Sequence, residues 1–153
     1  MFNAEDLLDI ALRLEHNGEQ IYRNARRQTA DATLQRLLEQ IAREESSHAD
    51  RFSDLKNRLP SGEDHHLVAE MSRALVEDVV KGQAFSLQEV DFAQIDTPRK
   101  MVRTFIGFEE DTIAFYEMIG AFISDPAIAG LLETIIAEER RHIDQFRLWL
   151  SEH

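Results

Sequence analysis

The chain has 153 residues, and 29 Asp+Glu against 17 Lys+Arg give it a formal net charge of −12. Such a surplus repels phosphate backbones and anionic lipid headgroups, so neither nucleic acid nor a membrane surface is an expected partner, whereas small cations are. With no cysteine, disulfides, thiolate metal sites, iron–sulfur clusters and thiol catalysis are excluded together, and any metal must sit on oxygen and nitrogen.

At 43% hydrophobic residues the chain can bury a core, and its length suits one domain spanning 1–153. The opening residues, MFNAEDLLDIALRLE, carry acids where a secretory signal has bases. No apolar run approaches the roughly 20 residues needed to span a bilayer, so a cytoplasmic protein is expected. Only 6 Gly and 3 Pro interrupt the chain, and strand-type alternation is absent, so the reading is nearly all helix.

The first helix is predicted near 4–28 and ends at Thr29-Ala30, where Asp31 can cap a second helix over 31–58. Leu59-Pro60-Ser61-Gly62 breaks the chain next. A crossover near 60–97 follows, with one short helix over Leu67 to Val80. Asp96-Thr97-Pro98 opens a third helix over 98–123, and Ser124-Asp125-Pro126, an N-cap followed by proline at the first helical position, opens a fourth over 126–152. Short, long and short connections describe two helical hairpins, 4–58 and 98–152, joined by one long crossover.

Each helix carries a seam of residues three and four apart. The seams run through Leu8, Ala11, Glu15, Gly18, Tyr22 and Ala25; through Leu34, Leu38, Ile41, Glu45, His48, Phe52 and Leu55; through Val102, Phe105, Glu109, Thr112, Tyr116 and Ile119; and through Ile128, Leu132, Ile135, Glu139, His142, Phe146 and Trp149. Every seam is apolar except near its middle. There each has a glutamate, and two have a histidine one turn later.

Sliding the chain by 94 positions superimposes Glu15 on Glu109, Tyr22 on Tyr116, Asp31 on Asp125, Glu44 on Glu138, Glu45 on Glu139, His48 on His142 and Phe52 on Phe146. The hairpins therefore read as two copies of one unit. Within each copy the glutamates lie 30 apart (45 − 15 and 139 − 109) with the turn at the midpoint. Equal distance from an antiparallel turn means equal height. About 15 residues at roughly 1.5 Å each place both carboxylates some 22 Å below the turn, inside the bundle.

Four buried carboxylates need neutralising, and no Lys or Arg occupies a seam at that height. Protonation or cations are the remaining answers, and two divalent cations would supply the missing charge. Glu-x-x-His puts both side chains on one helical face, so neutral imidazoles of His48 and His142 would add a nitrogen ligand to each ion. One Glu from each of two helices plus Glu-x-x-His from each of the other two is the ligand pattern of di-iron carboxylate bundles. Mixed carboxylate and imidazole donors suit iron or manganese better than a closed zinc site or an all-oxygen calcium site. A third Glu-x-x-His, Glu63 and His66, has Thr33 at the position 30 before it. Without a partner glutamate, it reads as an acidic helix start. Glu44 and Glu138, one turn before the histidines, read as partners of imidazole N–H groups, and Asp50 and Asp144 as surface residues.

The segments Glu15-His16-Asn17-Gly18-Glu19-Gln20-Ile21-Tyr22 and Phe108-Glu109-Glu110-Asp111-Thr112-Ile113-Ala114-Phe115-Tyr116, each followed by Glu-Glu-x-x-His, resemble the rubrerythrin-type di-iron domain of the ferritin-like superfamily. The resemblance covers both hairpins and implies an all-α, ferritin-like four-helix bundle. It implies Glu15, Glu45, His48, Glu109, Glu139 and His142 as ligands of two Fe ions, with Mn or Zn as substitutes. It further implies Glu45 and Glu139 bridging the metals, and Tyr22 and Tyr116 hydrogen-bonded to ligand carboxylates. Two departures stand out. Rubrerythrins usually have a further glutamate one turn after the third-helix ligand, where this chain has Thr112, and they carry a cysteine-rich rubredoxin module, which a cysteine-free chain lacks.

The function expected from the resemblance is an oxidoreductase that reduces hydrogen peroxide or dioxygen with electrons from a separate donor protein. The alternative is a ferritin-like store or ferroxidase, which needs a hollow multi-subunit shell. A hydroxylase acting on a lipid-like substrate would want an apolar channel, and a bundle that had lost its metal conflicts with six intact ligands. Apolar Phe85, Phe122 and Ile123 outside the seams point to a further contact surface, so a homodimer is expected.

Overall fold

The computed structural model describes residues 4–58, 95, 97–121 and 125–153. Four helices occupy nearly all of them: α1 (Ala4–Gln28), α2 (Ala32–Arg58), α3 (Pro98–Gly120) and α4 (Pro126–Glu152). No strand occurs among the described residues.

The helix starts follow from local chemistry. Asp31 Oδ1 accepts the Leu34 N–H at 2.7 Å, and the Gln35 amide donates to the Thr29 carbonyl at 2.7 Å, which closes the short turn between α1 and α2. Thr97 caps α3 by accepting from the Lys100 N–H at 3.2 Å, with proline in the first turn. Asp125 caps α4 by accepting from the Ala127 and Ile128 N–H groups at 2.8 and 3.5 Å. Each cap satisfies donors that have no partner within the helix. The third helix ends three residues before its expected limit of 123. Gly120 is its last residue, and the Ala121 N–H closes the final turn onto the Glu117 carbonyl at 3.1 Å. Glycine is a poor helix former, which makes this a natural stopping point.

The seams turn inward as their periodicity requires. Every seam residue is buried except Leu55, which is half-buried. They form two apolar clusters. One gathers Leu7, Leu8, Ala11 and Leu14 of α1, Phe52 of α2, Phe115, Tyr116 and Ile119 of α3, and Ile128, Leu132 and Ile135 of α4. The other gathers Tyr22 and Ala25, then Leu34, Leu38, Ile41 and Ala42, then Met101, Val102, Phe105 and Phe108, and finally Phe146 and Trp149. Truncating a fully buried member such as Leu38 or Leu132 to alanine would cost about 2–5 kcal/mol.

Cluster membership also fixes topology. The start of α1 meets the end of α2, the end of α3 and the start of α4, so the two hairpins lie head to tail with their turns at opposite ends. The end of α2 and the start of α3 are therefore separated by the length of the bundle, about 40 Å for 27 residues. This separation is why the connection between hairpins must be long. The short helix expected over Leu67 to Val80, the Glu63–His66 pair, and the apolar residues Phe85, Phe122 and Ile123 lie outside the described residues.

Candidate metal centre

Between the two apolar clusters runs a polar layer. Glu15, Glu45, Glu109, Glu139, His48 and His142 are each at most 1% exposed. Each helix contributes its seam glutamate, and α2 and α4 each add the histidine one turn further on. The six fall into two overlapping sets, Glu15, Glu45, His48 and Glu139, and Glu45, Glu109, Glu139 and His142. In each set one donor atom per residue lies within 4.8 Å of the others, and Glu45 and Glu139 belong to both. The structure thus brings together all six residues predicted as ligands.

Both imidazoles point Nδ1 inward and Nε2 outward. His48 Nδ1 is 2.9 Å from Glu139 Oε1 and 3.4 Å from Glu15 Oε2. His142 Nδ1 is 3.2 Å from Glu139 Oε2, 3.2 Å from Glu45 Oε1 and 3.7 Å from Glu109 Oε1. The rings are stacked, with centroids 6.1 Å apart. On the outer side the partners cross between hairpins. His48 Nε2 lies 2.5 Å from Glu138 Oε2, and His142 Nε2 lies 2.5 Å from Glu44 Oε2. The tyrosines cross in the same way, Tyr116 donating to Glu15 Oε1 at 2.7 Å and Tyr22 to Glu109 Oε1. Each hairpin therefore orients the polar groups of the other. The four outer groups, Tyr22, Tyr116, Glu44 and Glu138, all touch one of the six central residues.

Electrostatics bear the mark of this crowding. Burial opposes charge on His48, but the adjacent carboxylates of Glu139, which is hydrogen-bonded to it, and Glu15 outweigh it and push the imidazole up to about 10. Burial opposes charge on His142 as well, and the surrounding carboxylates of Glu109, Glu139, Glu44 and Glu45 raise it well above its ordinary value. Burial pushes Glu109 up to about 8, helped by the charge of Glu139, and pushes Glu45 up with the charges of Glu139, Glu15 and Glu109. Burial and Glu15 would raise Glu139 too, yet its contacts with Glu109, His142 and His48 hold it down. Desolvation first, then the neighbouring carboxylates, raises both tyrosines, which keeps them as donors. The hydrogen bond to His142 brings Glu44 down to about 2.

Three carboxylate oxygens in this layer, Glu15 Oε2, Glu45 Oε1 and Glu109 Oε2, are buried without a hydrogen-bond partner. The first two lie within ion-pair range of an imidazole but are not aligned for a hydrogen bond. An unsatisfied buried carboxylate oxygen is costly, and a cation between the sets would satisfy all three. Four carboxylates, two inward imidazole nitrogens and orphaned oxygens facing one space fit a pair of divalent metals of the iron or manganese type.

Two features escape a reading of spacing alone. Gly18 sits where a Cβ would stand 3.0 Å from Glu45 Oε2 and 3.2 Å from Phe108 Cε1, so any larger residue would press on both side chains. At one end of the bundle His153 stacks on Trp149 with centroids 4.4 Å apart and places Nε2 3.2 Å from Asp31 Oδ2, while Trp149 Nε1 donates to Asp31 Oδ1 at 3.4 Å. Repeats flag neither, because Gly18 matches Thr112 and Trp149 matches Leu55 in the other copy. Asp50, Asp144 and His16 are exposed.

Fold and site together define a ferritin-like four-helix protein with a carboxylate–histidine centre at mid-bundle. The comparisons agree. The solved structure of a ferritin-like diiron-carboxylate protein from Thermotoga maritima superimposes with a TM-score of 0.71 at 18% identity, covering 99% of this chain and 96% of the other. The rubrerythrin family profile matches residues 6–150, and the chain belongs to that family. No curated protein matches the sequence. No helix among the described residues is long and apolar enough to cross a membrane.

Proposed function

We propose that the protein binds two iron ions in the polar layer and reduces hydrogen peroxide or dioxygen, using electrons from a separate donor protein. The observation that carries this reading is the pair of four-residue sets sharing Glu45 and Glu139. Shared carboxylates are what a metal pair requires, since two separate sites would need separate ligands. Glu15 and His48 would hold one ion, Glu109 and His142 the other, and Glu45 and Glu139 both. When bound, two ferrous ions supply the two electrons that, with two protons, convert one peroxide to two waters.

The protein's own groups serve that chemistry in definable ways. Tyr22 and Tyr116 hold one oxygen of Glu109 and Glu15, leaving the other without a protein hydrogen-bond partner and free for a cation. Glu44 and Glu138 fix the outer nitrogen of each imidazole, which orients the ring and raises the basicity of the inner nitrogen. Phe, Leu and Ile layers on both sides keep bulk water from the centre. A cytoplasmic setting accords with a cysteine-free chain that relies on an outside reductant.

The test is metal analysis of protein made in iron-replete cells, followed by optical spectra of the anaerobically reduced protein before and after peroxide. About two irons per chain and rapid oxidation by peroxide are expected. Protein that takes up no iron, or whose reduced iron is indifferent to both oxidants, sinks the reading. Gel filtration separates the expected homodimer from the closed shell that an iron store would need.

A further inference from the structure

The two shared carboxylates are held differently. Glu139 is stretched between imidazoles from different hairpins, Oε1 at 2.9 Å from His48 Nδ1 and Oε2 at 3.2 Å from His142 Nδ1. Turning it means giving up two charge-assisted hydrogen bonds. Glu45 lacks that double anchor. Its Oε1 lies 3.2 Å from His142 Nδ1 but is not aligned for a hydrogen bond, and its Oε2 lies against α1 at Gly18, 3.0 Å from the place where any other residue would put a Cβ. Rotation about the terminal torsion of a glutamate meets only a broad, low preference, so Glu45 can turn at little intrinsic cost.

The clearance beside Glu45 belongs to one hairpin only. Position 18 corresponds to 112 (18 + 94), and Thr112 is 2% exposed with its hydroxyl donating to the Phe108 carbonyl at 3.0 Å. Phe108 also walls the notch at Gly18, its Cε1 3.2 Å from the missing Cβ. Near the middle of a 25-residue helix, a glycine is unfavourable relative to alanine. Close packing against a carboxylate supplies a reason for its presence.

We propose that Gly18 is a positioning residue for Glu45. It leaves room for that carboxylate to lie back against α1, so that Glu45 is the shared ligand that turns when cations enter or change charge, while Glu139, already spanning the two inward nitrogens, keeps its place as cations replace the protons there. The inference rests on the metal-centre reading above and assigns unequal roles to its two bridging groups.

Anaerobic titration of the metal-free protein with cobalt(II), followed by its visible absorption, tests this in wild type, Gly18→Ala and Thr112→Gly. Gly18→Ala is expected to weaken cobalt binding by about tenfold or more in at least one of the two steps and to change the absorption bands that report coordination. Thr112→Gly is expected to keep both steps within about twofold of wild type, since the threonine hydroxyl is turned onto its own helix. If Gly18→Ala titrates like wild type, the inference is overturned while the metal-centre reading stands. If wild type binds no cobalt, the reading itself falls and the inference with it. Crystal structures of wild type without metal and with cobalt decide the point even if the alanine variant does not fold. A turned Glu45 beside an unmoved Glu139 supports the assignment, and equal movement of both, or movement of Glu139 alone, overturns it.

Discussion

Hairpin α1–α2 and hairpin α3–α4 present the same polar side chains to the middle of the bundle, yet their outer surroundings differ. Inside, the exchange is reciprocal: Tyr22 serves Glu109 while Tyr116 serves Glu15, and Glu44 serves His142 while Glu138 serves His48. Outside, Glu138 has Arg51 at 3.5 Å and Arg141 at 3.9 Å, whereas Glu44 accepts the Gln40 amide at 3.2 Å. The repeat-related positions of Arg51 and Arg141 are Gln145 and Ser47, so this difference is written into the two copies. A carboxylate shared with two guanidinium groups donates less of its charge to an imidazole than one bonded to an amide. If the two sets each take a metal, as proposed, this difference predicts positions of equal composition but unequal strength, with the His142 position favoured.

The largest effect should come from the groups the hairpins share. Glu139→Ala removes a ligand atom from both sets, and metal analysis should find well under one ion per chain. His48→Ala or His142→Ala disrupts only one set, so about one ion should remain. If Glu139→Ala retains two ions, the centre is not a shared one. Next in size are the outer carboxylates. Replacing Glu44 or Glu138 by glutamine should weaken metal binding about 10- to 100-fold, with Glu44→Gln the more damaging because no arginine competes for that carboxylate at ion-pair distance. Equal losses in anaerobic titrations would mean that the arginines beside Glu138 leave the two positions equivalent.

Much of this comparison is legible in the sequence, and the reason is physical. Helical periodicity fixes which face of each helix is buried, and equal spacing about a short turn fixes the height of its polar groups, so the layer of Glu15, Glu45, Glu109 and Glu139 follows from one-dimensional information. Periodicity within a helix does not fix how one hairpin is rotated against the other. That rotation sends Glu44 to His142 rather than to His48, although His48 is one turn away on its own helix. Nor does spacing reveal the close approach at Gly18, which depends on where Glu45 lies across the bundle. The Trp149–Asp31 contact joins residues 118 apart in the chain, with no repeat counterpart to announce it.

Proton uptake should distinguish the empty centre from the loaded one. His48, at about 10, and Glu109, at about 8, both lie above their ordinary values in the folded chain. A raised group stabilises the fold fully below its unfolded pKa and loses that contribution as pH rises through its folded one. The metal-free protein should therefore lose stability progressively from about pH 4.5 through 8 as Glu109 ionises, and from about 6.5 to 10 as His48 does. Metal must displace these protons, so binding should strengthen as pH rises over the same range. Melting temperatures of metal-free and loaded protein between pH 5 and 9 should diverge with increasing pH. Parallel curves would remove the linkage between these protons and the metal.

The smallest expected effect tests whether the hairpins differ at their turns as they do at the centre. Asp31 and Asp125 are repeat-related N-caps, and losing such a cap costs about 1 kcal/mol, or a fall of roughly 2–4 °C in Tm for a domain of this size. Asp125→Ala should show that fall and little more, because the hydrogen bonds described for its side chain go only to the Ala127 and Ile128 N–H groups. Asp31→Ala should fall further. Its carboxylate also receives the Trp149 indole and faces His153, so the substitution unties the end of α4 from the first turn. Trp149 is the single tryptophan of the chain, and its emission should shift to the red and quench more readily in Asp31→Ala while staying unchanged in Asp125→Ala. Equal melting shifts with unchanged emission would reduce Asp31 to a helix cap and make the two turns equivalent after all.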